Sequence, residues 1–278
     1  MTIKVVTDST CDLPKGLIDQ YDISVIPVYI NIGGKSYKDQ VDISRDDFYK
    51  ILPGCKVPPT TSSPGIGTFV DEYQQLADNG ASEIISVHLS ENLSNVVNVA
   101  RLAVDRVKSV KVHVLDSGNL SIATGFVALA AAVSAKAGKK VLDIIRDAEM
   151  TAKNTYAYAV LDNLEYLRRS GRLSNIKYNL STLLDIKPIL KMHNGIIKLE
   201  MVRTWNRATN RLIDLVNDMS PHSRLALVHT NARDKAMSLY DQVQSIFGKK
   251  DVLCNIDVTP AIGTHIGPGA LGFVGTLK

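Results

Sequence analysis

Apolar and polar positions alternate along the first half of the chain in two distinct rhythms. Residues 3–6 form a β-branched run of buried-strand type, and 14–21 follow as a helix with proline in its first turn. The next strand is expected at 23–30. A polar excursion over 33–42 leads to a helix near 45–52. Further along, the pattern predicts a helix at 64–78, a strand at 83–89, a helix at 93–107 and a strand at 111–115. The alanine-rich run 121–137 reads as a buried helix, and 141–154 as another. Strands and helices alternating at this spacing imply a mainly parallel sheet covered on both faces. Such sheets bind ligands beyond the carboxyl ends of their strands.

From about residue 156 the rhythm changes. A short helix at 161–169 precedes strands at 186–192 and 196–202, joined by His193-Asn194-Gly195, a strong hairpin signal. Helix 208–219, strand 224–229, helix 234–247, strand 252–258 and a final strand near 273–277 complete the pattern. The expectation is two domains, 1–155 and 156–278, the second of mixed α/β type. A length of 278 residues is comfortable for two cores.

Composition narrows the function. The chain is 45% hydrophobic and 22% charged, ordinary for a globular protein, and its formal net charge of +4 is too small and too dispersed to argue for nucleic acid. Cys11, Cys55 and Cys254 are far apart and lack a C-x-x-C pair, which fits a reducing compartment and buried thiols rather than disulfides or zinc. A charge follows within a few residues of Met1, leaving no apolar signal region. The longest apolar stretch, 126–133, falls short of the ~20 residues that cross a bilayer. A cytoplasmic protein without membrane insertion is expected.

Three hydroxyl-rich loops share one design. Thr7-Asp8-Ser9-Thr10 follows the first strand, Thr60-Thr61-Ser62-Ser63-Pro64 precedes a helix, and Ser90-Glu91-Asn92-Leu93-Ser94-Asn95 lies between strand and helix. Helix starts carry unpaired N–H groups and partial positive charge, so they hold anions. Any one such loop is explained by helix capping, and Ser63 before Pro64 has the form of a cap. Three at one sheet edge favour an anion pocket.

Other signals are weaker. Gly267, Gly269 and Gly272 match G-x-G-x-x-G, but a strand rather than a helix is expected after them, so dinucleotide binding is rejected. His265 in that segment is a candidate hydrogen-bond donor to an acidic head group, equally well a loop histidine without a role. The run 161–172 reads as a helix closed by Gly171, with Arg172 beyond the cap as a candidate ligand. Arg203, Arg207 and Arg211 stand at helical intervals, ordinarily a solvated face and otherwise a dock for an acidic partner. No P-loop, G-x-S-x-G or H-E-x-x-H is present, and Asp8 and Asp12 are too widely spaced for a D-x-D pair. No metal site is expected.

Taken in order, these pieces resemble the DegV family of bacterial fatty-acid-binding proteins over essentially the whole chain. The matching segments are Val6-Thr7-Asp8-Ser9-Thr10-Cys11-Asp12-Leu13, Val25-Ile26-Pro27-Val28, Thr61-Ser62-Ser63-Pro64, Leu89-Ser90 with Leu93-Ser94, and Leu115-Asp116-Ser117. Leu164 with Gly171-Arg172-Leu173-Ser174, Lys187-Pro188-Ile189 and His265-Ile266-Gly267-Pro268-Gly269-Ala270 continue the series. The resemblance implies a Rossmann-like N-terminal domain, a second α/β domain and a palmitate-like fatty acid between them. It places Thr61 and Ser94 on the carboxylate, with Ser62 and Asn95 beside them, and assigns the family's arginine and histidine to Arg172 and His265. It also implies a partner, a FakA-type fatty acid kinase that makes acyl phosphate for phospholipid synthesis; Arg203 and Arg207, from the arginine spacing above, are the candidate docking face. No cofactor and no enzymatic activity of the chain's own are expected.

The sequence departs from the family where Asn95-Val96 replace Gly-Thr and Ser170 replaces a glycine; Asn95 is expected to tolerate a left-handed backbone in place of that glycine. Burying a sixteen-carbon tail, about fourteen CH₂ groups, offers about 11 kcal/mol before ordering costs. The competing readings are a hydrolase with Ser94 or Ser62 as nucleophile and His265 as base, and a protein- or nucleic-acid-binding module.

Overall fold

A computed structural model describes residues 2–172, 186–244 and 252–278. The first sheet contains β1 (Ile3–Asp8), β2 (Ile23–Ile26), β6 (Glu83–His88) and β7 (Lys111–Asp116), in the order β2-β1-β6-β7 and parallel throughout. Period-two alternation decides what each face meets. Val6 and Ile84 pack under α3 (Ile66–Asp78) and α4 (Val96–Val104), while Val5 and Ile85 face the opposite side and α5 (Ile122–Lys136). The amphipathic helices α1 (Lys15–Tyr21) and α6 (Val141–Lys153) pack against α5.

The second sheet is mixed. It contains β8 (Thr155–Val160), β9 (Lys187–His193), β10 (Ile196–Val202), β11 (His222–His229), β12 (Val252–Asp257) and β13 (Leu271–Leu277), in the order β10-β9-β8-β13-β11-β12, with only β11 and β12 parallel. Asn194 at φ 49° and Gly195 at φ 75° form the two-residue turn of the β9–β10 hairpin, as the Asn-Gly pair requires. One face carries α8 (Trp205–Asp218) and α9 (Arg233–Val243); the other meets α5. α5 therefore serves both sheets, which explains why it has no polar side: Phe126, Ala128, Ala131 and most of its other residues are buried. The Arg224 guanidinium reaches across to donate to the Phe126 carbonyl at 3.2 Å.

Between the sheets lie shorter pieces. A three-stranded antiparallel sheet joins β4 (Lys35–Lys38), β3 (Tyr29–Ile32) and β5 (Thr60–Ser62), with α2 (Arg45–Ile51) beside it. α7 (Glu165–Ser170) packs on α10 (Pro260–Ile266).

Several expectations change. The single strand expected at 23–30 is two strands in two sheets, because Pro27 has no N–H to continue a ladder. The polar excursion contains β4, and Thr60–Ser62 is a strand whose partner, β3, is distant in sequence. Ser63 and Pro64 do not start a helix: α3 begins at Ile66 with Gly65 as its N-cap and no side-chain cap bond. Pro14 likewise lies just before α1 rather than in its first turn. Arg203 precedes α8 instead of lying on it. The Leu173-Ser174 part of one family motif, the end of the helix expected at 234–247, and the Cys254 side chain fall outside the described residues.

Candidate functional site

Thr61 sits in the middle of β5, where its pairing with Ile30 of β3 fixes the direction of its side chain. Its Oγ1 lies 2.9 Å from His265 Nε2, in the last turn of α10. Burial, and then the nearby Arg172 guanidinium, push the His265 pKa down to about 3. The imidazole is therefore neutral at pH 7, with one N–H and one lone pair. Its Nδ1 is buried and has no partner.

These two residues border a cavity of about 450 Å³. Ser62, Ser94, Asn95 and Arg172 line it too, so the structure gathers Thr61, Ser62, Ser94, Asn95, Arg172 and His265 around one space. Leu93 and Leu120 and, from the second half, Leu167, Leu190, Ile197 and Ile262 supply apolar wall. The polar groups thus share the cavity with an aliphatic wall.

Capping does not consume these hydroxyls. α4 has Asn95 as its N-cap without a side-chain cap bond, and α3 is capped by Gly65. Ser94 and Ser62 are left to face the cavity. Asn95 has φ −82° and not the left-handed conformation expected for a glycine substitute; its side chain instead accepts from Asn98 at 3.1 Å. Arg172 follows the left-handed cap Gly171 (φ 71°) and donates to the Ser170 carbonyl at 2.6 Å, which ties the guanidinium stem to the end of α7. One cation, several hydroxyls and a neutral imidazole suit a small anion on an apolar body.

The third hydroxyl loop is organised differently. Asp8 accepts from the Thr10 N–H at 3.0 Å, from the Thr10 hydroxyl, from Leu89 N at 3.2 Å and from His88 Nδ1 at 3.0 Å. His88 Nε2 is in turn 2.7 Å from Ser86 Oγ. Ser86, His88 and Asp8 form a serine–histidine–aspartate line, yet all three are fully buried, so no substrate reaches the serine. His265 has no carboxylate behind it, since its Nδ1 is unpartnered. The hydrolase reading therefore lacks the group that orients a base.

Thr10 and Asn92, in the loops expected to form the pocket but not singled out there, also line the cavity; sequence reasoning missed α10 altogether. Its start was visible: Thr259 with Pro260 at the first helical position has the cap-then-proline form that was read at Ser63-Pro64 instead. Gly267 (φ 74°) lies where an added Cβ would meet the Tyr166 ring at 2.3 Å, which gives that glycine a packing role and not a phosphate-binding one. Among the described residues no group of metal-ligating side chains is assembled, and no helix is long and apolar enough to cross a membrane. Arg203 and Arg207 are exposed and do not line the cavity, while Arg211 is paired with Glu200 at 3.0 Å.

Two sheets sharing one buried helix, with an aliphatic cavity where their loops meet, define a class of α/β protein with known members. The chain belongs to the DegV family, whose model matches residues 2–277. A DegV domain-containing protein of Streptomyces coelicolor is 36% identical over 276 residues, covering 98% of this chain and 97% of the relative. The crystal structure of DegV from Bacillus subtilis, described as a fatty acid binding protein, is 33% identical, covers 100% of both chains and superposes with a TM-score of 0.91. A DegV family protein of Thermus thermophilus, described by its fatty acid binding, is 27% identical over 100% of both chains with a TM-score of 0.90.

Proposed function

We propose that this chain carries a long-chain, palmitate-like fatty acid, with the acyl tail in the aliphatic cavity and the carboxylate among Thr61, Ser94 and Arg172. The observation that carries this reading is the Thr61–His265 pair in one cavity with Ser94 and Arg172 and with an aliphatic wall that includes Leu93, Leu120, Leu190 and Ile197. With the imidazole neutral, His265 donates its Nε2–H to Thr61 Oγ1, which leaves the Thr61 hydroxyl proton for the carboxylate. An unpartnered Nδ1 is tolerated better as a lone pair than as a buried N–H, which favours this tautomer. Ser94 supplies a second neutral donor and Arg172 the countercharge, with Ser62 and Asn95 beside them. The tail supplies most of the affinity and the donors supply orientation.

In this reading the chain has no catalytic group of its own and divides into domains at 155/156, with the acid between them. It presents the carboxylate to a separate fatty acid kinase of the FakA type for acyl-phosphate formation, with Arg203 and Arg207 as the docking face. The fatty acid binding of the Bacillus subtilis and Thermus thermophilus relatives supports the ligand class. The test is mass spectrometry of ligand released on denaturing the purified protein. Long-chain fatty acid is expected; repeated recovery of only water-soluble ligands overturns the reading.

A further inference from the structure

α10 belongs to the C-terminal stretch, but residues of the first half hold its start. The Thr259 N–H donates to Asp12 Oδ1 at 2.8 Å, and the Thr259 hydroxyl donates to Asp39 Oδ2 at 2.5 Å. The Tyr49 hydroxyl donates to the Val258 carbonyl at 3.1 Å. Thr259, Asp12 and Asp39 are all buried. Asp12 has the Arg45 guanidinium at 3.1 Å and the Ser121 hydroxyl at 2.5 Å. Asp39 is held instead by the neutral donors Ser9 at 2.7 Å and Gln40 at 3.3 Å.

A buried carboxylate held by neutral donors is a costly residue, and stability alone is better served by apolar packing. Its position explains its use. Asp39 follows β4 directly, and its N–H is anchored to the Val28 carbonyl at 2.9 Å. Thr61 lies on β5 of the same small sheet. The sheet thus grips α10 at both ends: Asp39 on Thr259 at the start, Thr61 on His265 in the last turn. With seven residues, α10 is too short to hold itself and takes its height from its neighbours, this sheet gripping it at both ends.

We propose that Asp39 is a positioning residue for the head-group pair, fixing α10 through Thr259 so that His265 stays within hydrogen-bond reach of Thr61. The consequence for ligand retention rests on the fatty acid reading above; the consequence for His265 does not.

The test compares Thr259→Val, Thr259→Ser and the double variant Asp39→Leu/Thr259→Val, which removes both partners together and so leaves neither unpaired by the other. The imidazole resonances of His265, assigned against His265→Gln, are followed by NMR between about pH 5.5 and 8. In the wild type they are flat. In Thr259→Val and in the double variant they titrate with a midpoint near the ordinary ~6.5, and added palmitate leaves about tenfold faster; Thr259→Ser restores the wild-type behaviour. Variants that fold with a flat His265 and unchanged palmitate release overturn the proposal, whatever their melting temperature. Should the wild type hold no palmitate, the fatty acid reading fails while the His265 titration still decides the positioning role.

Discussion

Asn92 and Gly195 meet across the two halves of the chain: the Asn92 Nδ2 donates to the Gly195 carbonyl at 3.0 Å. The contact needs glycine twice over. Gly195 has φ 75°, and an added Cβ would lie 2.7 Å from that same Nδ2. Behind it, the Gly195 N–H donates to the Gly118 carbonyl at 2.7 Å. The tip of the β9–β10 hairpin is therefore seated on the loop that carries Ser94.

Gly195→Ala is expected to destabilise the protein by roughly 1–3 kcal/mol, because a left-handed backbone and a steric conflict coincide. Urea unfolding checks this. Asn92→Ala in the same background removes the obstructing amide and recovers part of the loss; equal midpoints for the single and double variants would show that strain alone is responsible.

At the head-group loops, Thr61→Ala and Ser94→Ala are each expected to weaken retention of fatty acid, by about tenfold per lost hydrogen bond to a carboxylate. Competition with a fluorescent fatty acid measures it. Unchanged retention in the double variant removes the head-group assignment while leaving the cavity intact.

The His265 pKa is lower in the folded chain, about 3, than its ordinary 6.5. The folded state therefore binds fewer protons than the unfolded state between those values, and its stability is complete above ~6.5 and declines as pH falls toward 3. The full window corresponds to on the order of 5 kcal/mol. Asp12 runs the other way: burial raises it from 3.8 to about 6, so its contribution is complete below ~3.8 and is lost as pH rises to about 6. The two slopes oppose each other over nearly the same range. Urea midpoints measured from about pH 4 to 7 should rise more steeply in Asp12→Asn than in the wild type, and His265→Gln should invert the trend.

Gly263 sits where a Cβ would lie 2.3 Å from the Tyr49 hydroxyl oxygen and 2.8 Å from its ring. Gly263→Ala is expected to cost roughly 1–3 kcal/mol by overpacking. Tyr49→Phe should relieve part of that cost, since the oxygen is the nearest atom, and a double-mutant cycle on thermal unfolding measures the coupling.

What the sequence revealed depended on how local the determinant was. The parallel strands β1, β6 and β7 and their helices were legible because their period is carried by neighbouring residues such as Ile84, Ile85 and Val87, while Pro27 cut the strand expected at 23–30 in two. The turn at Asn194-Gly195 was legible because backbone chirality leaves that pair few alternatives. The small sheet was not legible, because Thr61 pairs with Ile30 across β4 and α2 and nothing near either residue encodes the match. α10 was hidden because it is only seven residues long, carries Gly263 against Tyr49 within it and ends at Gly267 against Tyr166, which leaves too little chain for a helical period to show. Hydroxyls at Thr61 and Ser94 stood out by type; that they escape capping depended on helix starts two and three residues later than the pattern suggested.

α5 lies between both sheets with almost no water-facing side. Removing either sheet would strip one flank of that helix and expose a band of Phe126, Leu129 and alanine side chains to solvent. A fragment ending near residue 154 should consequently associate or precipitate on its own, and mixing it with the complementary fragment should rescue it.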